Sequence, residues 1–220
     1  VIWSVPAAAT LLLLVVATPR PPRSGPASSV EWRPDWRRAF PLGMLLGGTG
    51  GLYFLGNAFI PDYLHAIGRL DLVSAALGAL NLAQLPASAM TLVFARRMTS
   101  SRALLIACPL MAGAALVGLV MPVPELTVAA AGLIGFFCGI QLVVSLALPP
   151  LIARPEDVHR LSAGAFTIGY LTAFVMSPIG GAIWDATGTP ASAFATGVLC
   201  IALVIAAALS LPELRTARAA

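Results

Sequence analysis

The stretch from Gly132 to Gly188 reads GLIGFFCGIQLVVSLALPPLIARPEDVHRLSAGAFTIGYLTAFVMSPIGGAIWDATG, and it decides the fold. It contains two apolar runs, each long enough to cross a bilayer, on either side of the short charged turn ARPEDVHR. A few polar residues interrupt the runs, among them Gln141, Ser145 and Tyr170. A polar side chain in hydrocarbon is costly unless it faces protein or a water-filled cavity. The pattern therefore predicts two membrane helices that form part of the wall of a polar pathway.

The composition extends this interpretation to the whole chain. Of its 220 residues, 59% are hydrophobic and 10% are charged, and the mean hydropathy is +0.91. In soluble proteins about a quarter of the residues are charged. The nonpolar residues also lie in long blocks, which the core of a soluble protein would not need. We therefore expect an all-α integral membrane protein.

Seven apolar blocks are near or above the ~20 residues that a transmembrane helix needs. We expect these helices at residues 1–18, 39–60, 72–95, 103–121, 126–153, 161–184 and 191–211. The chain begins with Val1 inside the first block and lacks the basic segment and cleavage site of a signal peptide, so we expect a span whose beginning is missing. Residues 19–38, with five prolines and five arginines, are predicted to be a linker, and residues 213–220 a tail.

The arginines indicate the orientation of the spans. The chain has thirteen arginines and no lysine, and twelve of the arginines lie in the linker, the tail and the loops after the blocks at 72–95 and 126–153. Only Arg69 lies on the other side. Because cationic loops stay in the cytoplasm, we expect the linker and the C-terminus to be cytoplasmic, and Val1 to be outside a cell (inner) membrane. The sequence contains no basic helix face and no aromatic stacking motif, so we expect no nucleic-acid partner.

Polar side chains separate the spans into two kinds. The blocks at 103–121 and 191–211 contain no Asn, Gln, Tyr or His, whereas the other four blocks after the linker contain polar groups. Since polar groups in lipid need protein or water, we expect the first kind to face lipid and the second to enclose a cavity. Six residues of the second kind are candidate substrate contacts: Tyr53, Asn57, Asn81, Gln84, Gln141 and Tyr170.

These polar groups have two possible roles. Amides donate and accept hydrogen bonds without carrying charge, which suits a solute that must bind and then leave. Alternatively, they only bond helix to helix, at about 0.6 kcal/mol per contact. No carboxylate or histidine lies in the middle of a span, and the three cysteines lack metal-ligand spacing. We therefore expect no catalytic residue, metal or cofactor.

Three stretches of the chain carry a resemblance to a known family: AALGALNLAQLPASAMTLVFAR at 75–96, GFFCGIQLVVSLALPPLIARPEDVHRLSAGAFTIGYLTAF at 135–174 and SPIGGAIWDATG at 177–188. They resemble the C-terminal half of major facilitator superfamily transporters, and look most like the cyanate and nitroimidazole permeases. The resemblance implies that the first span is the last helix of a missing N-terminal half and that residues 39–212 form a six-helix C-terminal bundle. Unlike many members, the loop ARRMTSSR at 95–102 carries no acidic residue.

The resemblance implies a secondary transporter that moves a small organic solute, anionic or weakly polar, by alternating access. Its partners would be that solute, the lipid bilayer and the missing half of the protein. A seven-helix receptor or sensor shares the same topology and stays open as an alternative. It would not bind retinal, because no lysine is present to form the Schiff base. A membrane enzyme is not expected, since no catalytic cluster is found.

Overall fold

The computed structural model describes residues 35–98, 101–121 and 123–211, and all regular secondary structure in these ranges is helical. Six segments of the described chain are long and apolar enough to cross a membrane: Trp36–Ala66, Leu70–Phe94, Arg102–Leu119, Leu126–Ile152, Pro155–Thr187 and Pro190–Ser210. The described chain is thus all-helical, and its six long apolar segments are compatible with a multi-pass membrane protein. The predicted span at 1–18, residues 19–34 of the predicted linker and the predicted tail lie outside the described residues.

We number the α-helices of the described residues in chain order. They are α1 (Trp36–Ala66), α2 (Val73–Leu82), α3 (Gln84–Met98), α4 (Arg102–Leu119), α5 (Pro124–Ala147), α6 (Pro149–Ile152), α7 (Val158–Thr187) and α8 (Ala195–Ser210). Short 3-10 turns at Leu70–Leu72, Pro155–Asp157 and Pro190–Phe194 precede α2, α7 and α8. Helix α1 begins at Trp36, three residues before the predicted span and inside the predicted linker.

Proline explains why two of the spans are divided. The segment at 72–95, predicted as one helix, ends as α2 at Leu82 and resumes as α3 at Gln84. Pro86 has no N–H, so the carbonyl of Leu82 loses the donor that would continue the helix. Likewise, α5 ends at Ala147 immediately before the pair Pro149 and Pro150. Each interruption therefore lies where a proline removes a backbone donor.

Helix α1 lies at the centre of the bundle and packs against α5, α7 and α8. Glycines allow this close packing. A Cβ atom at Gly43 would lie 2.5 Å from Cβ of Ile168, and one at Gly47 would lie 2.5 Å from Cβ of Thr172, both on α7. The four-residue glycine spacing that predicts close helix contact is thus used between α1 and α7.

Contacts between helix ends show how successive spans alternate. Arg38, at the start of α1, donates a 3.4 Å hydrogen bond to the carbonyl of Ile152 at the end of α6. Arg102, at the start of α4, donates to the carbonyl of Leu211 just after α8. Near the opposite end of α1, the Tyr63 hydroxyl donates a 3.1 Å bond to the Val120 carbonyl after α4. The arginine-bearing ends of the spans therefore contact one another. That these ends lie in the cytoplasm stays a prediction.

Candidate functional site

A cavity of about 250 Å³ opens between α1, α3, α5 and α7. These helices belong to the four spans for which polarity predicts an enclosed space, and no residue of α4 or α8 lines this cavity. Of the six predicted contacts, Tyr53, Gln84 and Tyr170 line it. Ala173 and Gly169 also line the cavity, and because these residues are small, α7 leaves space for it beside α1.

Aromatic rings form much of the cavity wall. Phe166 and Tyr170, one turn apart on α7, have ring centroids 6.1 Å apart and planes 18° apart, so they stack. On α1, the rings of Tyr53 and Phe54 lie 5.8 Å apart at 51°. The remaining lining is mostly aliphatic, as Leu46 on α1 illustrates. Such a wall binds the apolar or aromatic body of a ligand.

Four polar side chains reach the cavity, and two of them are already engaged as donors. The Thr49 hydroxyl donates to the carbonyl of Leu45 at 2.7 Å, and the Tyr53 hydroxyl donates to Asn81 at 2.5 Å. The side chains of Gln84 and Tyr170 make no hydrogen bond with the described part of the chain. None of the described residues that line the cavity is charged. The site therefore offers hydrogen-bonding groups to a ligand but no countercharge.

Asn57 and Asn81 do not line the cavity but form a network beside it. Asn81 Nδ2 donates to Asn57 Oδ1 at 3.1 Å and to the carbonyl of Leu77 at 2.8 Å. Asn57 Nδ2 donates to the Tyr53 carbonyl at 3.0 Å. Together with the Tyr53 hydroxyl, these bonds connect α1 to α2. The structure thus places the two asparagines in interhelical bonding, the alternative role that the sequence leaves open.

Gln141 lies apart from the other five predicted contacts. It is 2% exposed and lines a separate space of about 10 Å³ between α1, α4, α5 and α8. Neither its Nε2 nor its Oε1 has a hydrogen-bond partner in the described protein. Ser145, one turn further along the same face, is also buried, and its hydroxyl has no partner in the described protein. Gln141 therefore faces the protein interior rather than lipid or the larger cavity.

Several lining residues were not among the sequence predictions. Thr49 lies one turn before Tyr53 and Phe166 one turn before Tyr170, so the four-residue spacing on each helix would have identified them. The three cysteines lie in three separate spans of the sequence. In the structure, Cys108, Cys138 and Cys200 all line the small space beside Gln141. Only the packing of three helices brings them together, so no sequence spacing could have signalled it.

In the described residues, no group of three or more His, Cys, Asp or Glu side chains is arranged to hold a metal ion. Comparison of the chain with protein-family models, with curated protein sequences and with solved structures finds no match.

Proposed function

We propose that this chain is part of a secondary active transporter that moves a small organic solute across the membrane by alternating access. The observation that supports the proposal is the cavity of about 250 Å³ between α1, α3, α5 and α7. Its lining combines apolar surface with a few polar groups inside a bundle of membrane helices, which is the chemistry of small-molecule sites. Ligand pockets usually measure about 300–1,000 Å³, so the solute is small.

The cavity lining favours a weakly polar solute over an anion. An anion in a low-dielectric site needs a cationic partner or several converging donors. The described residues of the lining include no arginine, and the two polar groups among them without a hydrogen bond in the described chain belong to Gln84 and Tyr170. Phe54, Phe166 and Tyr170 instead present ring faces and edges. We therefore narrow the anionic or weakly polar solute expected from the sequence to an uncharged compound with a flat apolar body.

The same proposal assigns a partner to the open side of the cavity. Tyr170 is 65% exposed and Phe174, one turn further along α7, is 76% exposed. As in the transporters that the sequence resembles, a second bundle of helices would cover this side and complete the path. Alternating access would then rock the two bundles about a site near the middle of the membrane.

The test uses the product of the complete reading frame, purified and reconstituted into proteoliposomes. Benzamide and benzoate make a matched probe pair, because they share a flat ring and differ mainly in charge. We expect time-dependent benzamide uptake that exceeds benzoate uptake and that Gln84→Met reduces at unchanged protein content. Saturable binding without uptake would support the receptor alternative. Uptake of benzoate alone would contradict the uncharged solute, and the absence of both binding and uptake across a panel of small ring compounds would contradict the transporter.

A further inference from the structure

Gln141 presents an energetic problem that the proposed function does not address. Its amide is almost fully removed from solvent, at 2% exposure, and both of its polar atoms lack a partner in the described protein. A buried amide without hydrogen bonds destabilises a protein interior. Most buried polar groups are satisfied by protein or by internal water. The position therefore calls for a small polar ligand.

The space beside Gln141 has the right size and chemistry for one such ligand. Its volume of about 10 Å³ is close to the minimum that a single water molecule requires. Thr49 also lines it, and the Thr49 hydroxyl, which donates to Leu45, keeps lone pairs that can accept. Gln141 Nε2, Gln141 Oε1 and Thr49 Oγ1 thus supply three groups. An internal water typically makes about three hydrogen bonds.

A route into the space is also visible. Thr49 and Cys138 line both the small space and the cavity of about 250 Å³. These two side chains therefore form a shared wall, one residue thick, between the two compartments. Thr49 and Cys138 are therefore the side chains that a water-sized ligand would pass between the cavity and Gln141. No residue of the described chain that lines the space is charged, which disfavours an ion.

We propose that Gln141 and Thr49 bind a single internal water molecule that exchanges with the larger cavity past Thr49 and Cys138. The water accepts from Gln141 Nε2 and donates to Gln141 Oε1 or Thr49 Oγ1. It forms a polar contact between α1 and α5 at a place otherwise surrounded by apolar side chains of α4 and α8. The proposal holds whether the larger cavity serves transport or sensing.

The three cysteines at this space provide built-in reporters. Brief X-ray irradiation of the reconstituted protein produces hydroxyl radicals from bound and bulk water alike, and a thiol beside a bound water is oxidised although it is shielded from bulk solvent. Mass spectrometry then measures oxidation of Cys108, Cys138 and Cys200. A bulky maleimide, which requires access from bulk solvent, is applied in parallel. Phe194, which is 3% exposed and does not line the space, reports the background of buried residues.

With each rate expressed relative to the same residue in the denatured protein, we expect Cys108 and Cys200, which line only the small space, to be oxidised well above the Phe194 background while they resist the maleimide. Gln141→Met keeps the side-chain length but removes both polar atoms, so cysteine oxidation should fall by about fivefold or more, the effect of about one hydrogen bond. Gln84→Met removes an amide from the larger cavity and should leave cysteine oxidation unchanged. The wild-type measurement decides the matter even if Gln141→Met fails to fold.

Three results would overturn the proposal. Background-level oxidation of Cys108 and Cys200 in the wild-type protein means that the space is dry. Equal oxidation in the wild type and in Gln141→Met means that Gln141 does not hold the water. Maleimide reaction as fast as in the denatured protein means that the region opens to bulk solvent.

Discussion

The hydroxyl of Tyr53 donates a 2.5 Å hydrogen bond to Oδ1 of Asn81, which joins the middle of α1 to the last turn of α2. Asn81 is the residue just before the end of α2, and Gln84 begins α3 beyond the break. Asn81 also donates to Asn57, one turn after Tyr53, so both the oxygen and the nitrogen of its side-chain amide are hydrogen-bonded to α1. The network therefore fixes α2 beside the break, while Gln84 on α3 lines the cavity.

Removing the Tyr53 hydroxyl should weaken the bundle by a measurable coupling with Asn81. We expect a double-mutant cycle of Tyr53→Phe and Asn81→Ala, followed by thermal unfolding in detergent, to give a coupling of about 0.6 kcal/mol and at most about 1.7 kcal/mol. Tyr170→Phe is the control, since the Tyr170 hydroxyl makes no hydrogen bond in the described protein and should show no coupling with Asn81. Strict additivity of Tyr53→Phe and Asn81→Ala would contradict this role.

Gly135 on α5 marks the closest approach between α5 and α2. A Cβ atom there would overlap the backbone carbonyl of Leu80, which cannot rotate away as a side chain could. We expect Gly135→Ala to destabilise the protein by about 1–3 kcal/mol or more, measured as the shift in thermal unfolding. Gly78→Ala is the matched control, because nothing lies within 4 Å of that position and alanine favours a helix by roughly 0.5–1 kcal/mol. A stable Gly135→Ala protein would mean that α5 and α2 are further apart.

Two substitutions at Tyr170, which stacks on Phe166, can measure the contributions of the ring and of the hydroxyl to ligand binding separately. Tyr170→Phe keeps the stack and removes only the hydroxyl, whereas Tyr170→Leu removes the ring itself. If the wall binds a flat solute, Tyr170→Leu should weaken benzamide affinity by about 0.5–1.5 kcal/mol, or roughly 2- to 12-fold. Tyr170→Phe should change affinity less. The measurement is equilibrium binding to the reconstituted protein, and the reverse order would assign recognition to the hydroxyl.

The end of α8 should depend on Arg102. This side chain donates to the Leu211 carbonyl, one of the C-terminal groups that α8 cannot satisfy internally. We expect Arg102→Gln to speed hydrogen exchange in the last turn of α8 about fivefold, which corresponds to a loss of about 1 kcal/mol. Mass spectrometry after deuterium labelling reads this directly. Arg160→Gln, which breaks an ion pair with Asp157 at 3.8 Å near the start of α7, should leave α8 unchanged.

Block length and polarity were sufficient to predict the six described spans and the helices around the cavity. The predicted span at 126–153, for example, corresponds to the observed segment Leu126–Ile152. Long apolar blocks have few alternatives to membrane helices, because every backbone group must be satisfied inside the bilayer. For the same reason, a helix rich in amides faces protein or water. These rules act within one helix, so a single sequence suffices to apply them.

The distribution of the six candidate residues could not be predicted in the same way. Helical spacing shows that Gln141 and Ser145 share a face, but not which neighbours that face meets. Asn81 and Gln84 are three residues apart, a spacing that places two side chains on one face of an unbroken helix, but the helix is interrupted at Ala83 between them. One therefore bonds to α1 and the other lines the cavity. Which partner a polar face meets depends on packing between helices, and that information is not local.

The prolines inside the spans leave backbone carbonyls without their usual hydrogen-bond donor, and the break before Pro86 is one example. A proline within a span deprives the carbonyl four residues earlier of its usual donor, as for Leu82 before Pro86 and Leu105 before Pro109. Main-chain oxygens thereby add polar groups inside the spans, although the side chains of Leu82 and Leu105 are fully apolar on any hydropathy scale. Replacing either proline with alanine would return a backbone donor to that carbonyl without altering a single polar side chain.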